Sequence, residues 1–136
     1  MNYVTYDEFK KMDMRLGHIK FVEPVEGTDK LLRFEIDFGP LETTAEDKEN
    51  IEGVELPFGK EEYTGRDVRQ IVSGIREFWP EYKELEGKYG LYVLNLEPRE
   101  IRGVMSHGML MAVDGKDGNP VFLGPQGEVE AGASVR

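Results

Sequence analysis

The sequence predicts an all-β protein: a small closed barrel of about five strands, short flanking helices and a C-terminal extension. Three observations carry this. Residues 32–38 alternate strictly, with Leu32, Phe34, Ile36 and Phe38 on one face and Arg33, Glu35 and Asp37 on the other. Other strand-like runs are interrupted or closed by glycine, as at bends and bulges of a barrel wall. Helical periodicity is confined to short stretches.

Residues 5–12 read as a short helix. Thr5 caps it, Glu8 stands three residues later as in a capping box, and Asp7 and Glu8 favour its positive end. Phe9 and Met12 share a face and are expected to dock on the core. Residues 14–22 form a strand with a phase slip at Gly17-His18, where a bulge or bend is expected. Pro24 ends it, 26–29 turn, and 30–38 make the clearest strand, stopped by Gly39-Pro40.

Residues 40–66 show no period and read as an acidic insertion with a short helix near 45–50; the alternative is a solvated hairpin loop. A strand resumes at 67–73. A helix is expected from about Pro80 to Gly87, since proline suits a first turn and glycine a helix end. Strands follow at 89–94 and 109–113, joined by a polar loop. Residues 114–120 are a turn cluster, 121–123 a short strand, and 124–136 an irregular tail. Five main strands with marked bends make a five-stranded OB-type barrel the economical choice, as one domain over 1–136.

Composition removes several function classes. There is no cysteine, so disulfides, thiolate metal sites and cysteine nucleophiles are excluded. No run of about 18 apolar residues exists and no secretory signal is visible, so no membrane association and a cytoplasmic location are expected. Net charge is −10, but residues 40–65 hold eight acids against two bases. The acidity is concentrated there and need not describe a binding face.

Catalysis finds little support. His107 directly follows Ser106, and adjacent side chains on an extended chain point apart. No nucleophile elbow, phosphate-binding glycine loop or metal-ligand spacing occurs. No enzyme activity, cofactor or metal is expected. What remains is a set of polar and basic groups on an OB-type barrel, a fold that binds nucleic acids. The candidates are Lys30, Arg33, Arg69, Asn95, Arg99, Arg102 and Ser106. For several a structural role is equally open. Arg33 has Glu35 and Asp37 as neighbours, Asn95 suits a strand-end turn, and Arg99 and Arg102 lie beside Glu97 and Glu100.

Ordered motifs then narrow the choice. They are Phe9-x-x-Met-Asp-Met-Arg-Leu-Gly-His-Ile19, Asp29-Lys-Leu with Ile36-Asp-Phe-Gly39, Arg69-Gln-Ile-Val-Ser-Gly74, and Asn95-Leu-x-Pro-Arg-x-Ile-Arg-Gly-Val-x-Ser-x-Gly-Met-Leu-Met-Ala112. Together they closely resemble the tRNA-binding OB-fold family. That family includes the C-terminal module of bacterial methionyl-tRNA synthetase, free-standing dimeric tRNA-binding proteins and a cytokine-like domain of some eukaryotic synthetases. The resemblance covers nearly the whole chain outside 40–66.

It implies a non-catalytic protein that recognises tRNA shape through one barrel face, as an accessory to methionyl-tRNA synthetase or another aminoacyl-tRNA synthetase. By motif position it assigns Asn95, Ser106 and Met109 to the tRNA-contacting loop and strand, Arg99 and Arg102 to that loop's basic positions, and Lys30 to the basic position near the second strand. It also implies a homodimer formed with the tail, where Gly132 and Val135 match. The sequence departs at Glu97 and Glu100, where the family carries lysine, so weak and salt-sensitive binding is expected. A related branch, a dimeric secretion-linked chaperone, and a protein–protein scaffold are the alternatives.

Overall fold

The computed structural model describes residues 1–41 and 57–136. The expected helix near 45–50 and most of the acidic segment lie outside the described residues.

Helix α1 (Tyr6–Lys10) carries the capping box: the Glu8 amide donates to Thr5 Oγ1 at 3.1 Å and the Thr5 amide to Glu8 Oε1 at 3.2 Å. The strands are β1 (Met14–Pro24), β2 (Leu32–Pro40), β3 (Arg66–Ser73), β4 (Tyr89–Val93), β5 (Arg99–Ile101), β6 (Val104–Ser106), β7 (Met109–Asp114) and β8 (Pro120–Phe122). Six form one antiparallel sheet in the order β3-β2-β1-β4-β7-β8; β5 and β6 pair separately. The first five in that order are the strands of the expected OB-type barrel.

The sheet curls because β1 serves two partners. Its residues 14–18 pair with β4 and its residues from His18 onward pair with β2. Gly17 permits the bend, since a Cβ there would lie 2.4 Å from Ile36 Cγ2. The register shift expected at Gly17-His18 falls slightly later, between Ile19 and Phe21. On the far side, the His107 amide donates to the Gln70 carbonyl at 2.9 Å and joins the β6–β7 junction to β3. Gly108 makes this close approach possible, with Ile71 Cδ1 at 3.0 Å from where a Cβ would be.

The predicted inner face of β2 is the core. Leu32, Phe34, Ile36 and Phe38 are buried with Ile19, Val22, Ile71, Ile75, Leu85, Tyr92 and Leu94. Phe38 meets Tyr92 edge to face at 5.5 Å. Each such large side chain contributes about 1.5–3 kcal/mol when fully buried.

Four expectations are corrected. Phe9 and Met12 do not dock: α1 buries no residue, and both stay exposed. The helix expected from Pro80 to Gly87 is shortened to one 3-10 turn, Tyr82–Leu85, and another, Arg76–Phe78, precedes Pro80. Proline disfavours helix in the residue before it, and only a few residues separate Pro80 from the Gly87 stop. The outward residues of β2 are not solvated, because Glu35 and Asp37 are buried. The reason is the fourth correction. The end of the acidic segment is more than a solvated loop: two 3-10 turns, Pro57–Gly59 and Glu61–Tyr63, keep Phe58, Gly59, Glu61 and Glu62 exposed but bury Tyr63, whose hydroxyl bonds Glu35.

The tail, expected to be irregular, pairs with the start of β1. The Leu16 amide donates to the Ala133 carbonyl at 2.9 Å, Gly132 to Leu16 at 2.8 Å and Val135 to Met14 at 2.9 Å. Gly132 has φ +89° and would place a Cβ 2.0 Å from the Phe38 carbonyl, so only glycine fits.

Candidate nucleic-acid interface

The polar loop between β4 and β7 folds into a hairpin of its own. Arg99 faces Ser106, Glu100 faces Met105 and Ile101 faces Val104. The two turn residues, Arg102 (φ 51°) and Gly103 (φ 81°), both take the left-handed conformation that a two-residue hairpin turn demands. Along β5 side chains alternate, so Arg99 lies on the face of Ser106 and Glu100 on the opposite face with Met105.

The base of the hairpin is riveted to β3. Ser106 Oγ accepts from the Val72 amide at 3.0 Å and donates to the Gly108 carbonyl at 2.9 Å. Gln70 Nε2 donates to the Met105 carbonyl at 2.9 Å. Ser106 is therefore buried, and its hydroxyl works as a structural rivet. The tip is open. Arg99 and Arg102 are exposed, and neither makes an ion pair among the described residues.

The other predicted residues fare differently. Met109 opens β7 beside the hairpin and is 50% exposed. Asn95 is exposed at the end of β4, with its carboxamide engaged: Oδ1 accepts from the Asp13 amide at 2.8 Å, and Nδ2 donates to the Lys11 carbonyl. It fastens the α1–β1 corner to β4. Lys30 is exposed on the turn between β1 and β2, and no hydrogen bond or ion pair among the described residues links it to the hairpin. Arg69 is held by Asp67 at 3.1 Å and by the Leu94 carbonyl at 3.3 Å.

Arg33 belongs to a closed ionic cluster. It donates to Glu23 Oε1 at 2.7 Å, to Gln70 Oε1 at 3.1 Å and to Glu35. Glu35, fully buried, also accepts from Lys60 Nζ at 2.6 Å and the Tyr63 hydroxyl at 2.7 Å. Burial alone would raise the Glu35 carboxyl. The bonds from Lys60, Tyr63 and Arg33, with the Arg33 charge, outweigh it and hold the group below the ordinary carboxylate range. The Tyr63 hydroxyl is pushed up by burial and by the Glu35 carboxylate. The outer face of β2 is thus covered by the 57–63 segment.

Beside the hairpin's base lies a cleft of about 380 Å³ lined by Phe58, Val68, Arg69, Gln70 and His107. Phe58 and Gln70 were not singled out from sequence, and His107 was weighed there only for catalysis beside Ser106. The available signals were Gln70 inside the Arg69–Gly74 motif and Phe58 as an aromatic at the end of an otherwise acidic stretch.

Against this geometry, a family model described as "Putative tRNA binding domain" matches residues 43–134. The chain belongs to the tRNA-binding domain family. Methionine–tRNA ligases of Thermococcus kodakarensis and Methanothrix thermoacetophila are 36% and 37% identical, over 100% and 98% of this chain. The chain spans only about 15% of such a ligase. Among solved structures, a MetRS-related protein from Pyrococcus horikoshii superposes with a TM-score of 0.73 at 31% identity, with both chains covered completely. The chaperone CsaA of Bacillus anthracis shares the fold at TM-score 0.69 and 21% identity, covering 99% of this tRNA-binding domain and 100% of CsaA.

Proposed function

We propose that this single domain binds folded tRNA through the β5–β6 hairpin and the adjoining end of the barrel, without catalysing a reaction. The observation that carries the reading is the pair of exposed guanidiniums, Arg99 and Arg102, which make no ion pair among the described residues, on a hairpin riveted by Ser106. In a chain of net charge −10 these are cations left available for phosphate. Met109 supplies apolar contact beside them, while Asn95 and Ser106 contribute by holding the surface in shape. Arg33 is spent on its ionic cluster. The ligase relatives favour an accessory role beside an aminoacyl-tRNA synthetase.

Fluorescence anisotropy with folded tRNA at about 50 mM salt tests this, since low salt favours phosphate contacts. Binding that weakens steeply as salt rises is expected. Absence of binding at tens of micromolar protein, roughly the weak end of non-specific affinity, overturns it.

The domain pairs as a homodimer. Supporting this, Tyr3 (90% exposed), Val4, Tyr6 (72%), Phe9 and Met12 form an apolar surface on and around α1 that stays exposed among the described residues. Light scattering distinguishes twice 15.5 kDa from 15.5 kDa. The same apolar surface favours a second reading, capture of unfolded chains. Suppressed aggregation of a denatured client, without tRNA affinity, would decide for it.

A further inference from the structure

We infer that the cleft under the hairpin takes an unstacked base of the bound RNA. The inference rests on the tRNA-binding reading and adds to it a contact to a base rather than to the backbone. The cleft holds about 380 Å³, within the range of small-ligand sites. None of the described residues that line it is acidic, in a chain that is acidic overall.

Phe58 supplies the first argument. Its backbone lies at φ 56°, ψ 20°, a left-handed conformation that is rare and costly for a bulky residue. The ring is held there by Tyr63, edge to face at 6.1 Å, and by the Arg33 guanidinium at 5.6 Å. Even so it stays 40% exposed at the cleft. The buried ionic cluster thus props up an aromatic ring that the core does not need.

His107 supplies the second. Its backbone is fixed by Gln70 and by the Ser106 rivet before it. Its exposed imidazole makes no hydrogen bond among the described residues, leaving one nitrogen to donate and one to accept when neutral. Arg69 adds a guanidinium plane at the wall, its charge paired with Asp67 and its position fixed by it. An aromatic face, an imidazole and a guanidinium are the groups on which unpaired RNA bases stack and pair. Gln70, which lines the cleft, bonds the hairpin's Met105 carbonyl, and His107 directly follows the hairpin's last residue, so the cleft adjoins the base of the hairpin that carries Arg99 and Arg102.

The test uses the full chain, with Phe58→Leu and His107→Ala checked by thermal melting. Two probes are used: folded tRNA, and a single-stranded oligoadenylate hexamer followed by the NMR signals of the His107 ring. For Phe58→Leu, tRNA affinity is expected to fall roughly 5- to 100-fold, the range for losing one stacked base. The slope of log affinity against log salt should stay unchanged, because no phosphate contact is lost. The hexamer should shift the His107 signals in the wild type and not in Phe58→Leu. Wild-type tRNA affinity retained in both folded variants overturns the cleft while leaving tRNA binding intact. Hexamer binding at His107 without tRNA binding keeps the cleft and removes the tRNA reading. A His107 shift with an unfolded client chain but not with the hexamer overturns the inference. If Phe58→Leu fails to fold, His107→Ala with the same slope measurement decides.

Discussion

Arg33 and Arg102 are the same side chain put to opposite uses. Arg33, on β2, meets Glu23, Glu35 and Gln70, while Lys60 joins it on Glu35. Its charge is consumed inside the molecule, and the 57–63 segment is the product. Arg102, at the tip of the β5–β6 hairpin, makes no ion pair among the described residues and projects from a turn whose base is rigid. On the tRNA-binding proposal, recognition in a protein this acidic depends on which cations escape internal pairing rather than on how many there are.

The widest separation between the two regions should appear on removing Glu35. Glu35→Ala leaves Lys60 without its ion-pair partner among the described residues and strips Arg33 of one of its two carboxylates. A loss of about 3 kcal/mol is expected, toward the low end for breaking a buried pair because Arg33 keeps Glu23. That corresponds to a melting temperature lower by roughly 10 °C. tRNA affinity contributed by the hairpin should persist below the transition. An unchanged melting temperature would show the cluster to be decoration.

Acid should act on the same region. The folded-state Glu35 carboxyl is held below its ordinary value of about 4.3, so its contribution is complete above that pH and is lost as pH falls below it. Denaturant melts between about pH 6 and pH 3 should therefore show falling stability, with a shallower fall for Glu35→Gln. Identical slopes would assign the acid sensitivity to other carboxylates.

The smallest change in stability, and the clearest in binding, is expected at the hairpin. Arg102→Asn installs the Asn-Gly pair favoured in such turns, so the fold should hold within about 0.5 kcal/mol. tRNA affinity should fall, with the salt slope reduced by about one phosphate contact. An unaltered slope would place Arg102 off the RNA.

Much of the barrel was readable because its signals are local. Strict alternation marked β2, and glycine and proline marked the strand ends. The hairpin was missed because its turn is Arg-Gly, where the common signal is Asn-Gly or Asp-Gly. Alternation placed Glu35 in solvent; only the distant Lys60 and Tyr63 make it a buried centre. Ser106 was chosen as a binding residue, yet its partner, the Val72 amide, lies on another strand and no spacing rule points to it. The exposed α1 face misled in the other direction, since an amphipathic pattern says that a face is apolar and not what covers it.

The tail's pairing with β1 also bears on solubility. Met14–Leu16 is bonded to β4 on one side, and residues 132–135 occupy the other. An unpaired strand edge is a template for any extended chain that meets it. The closing segment is therefore a guard. Where Gly132 is replaced and the segment displaced, the barrel would keep its core and gain an adhesive margin, becoming a domain that recruits strands.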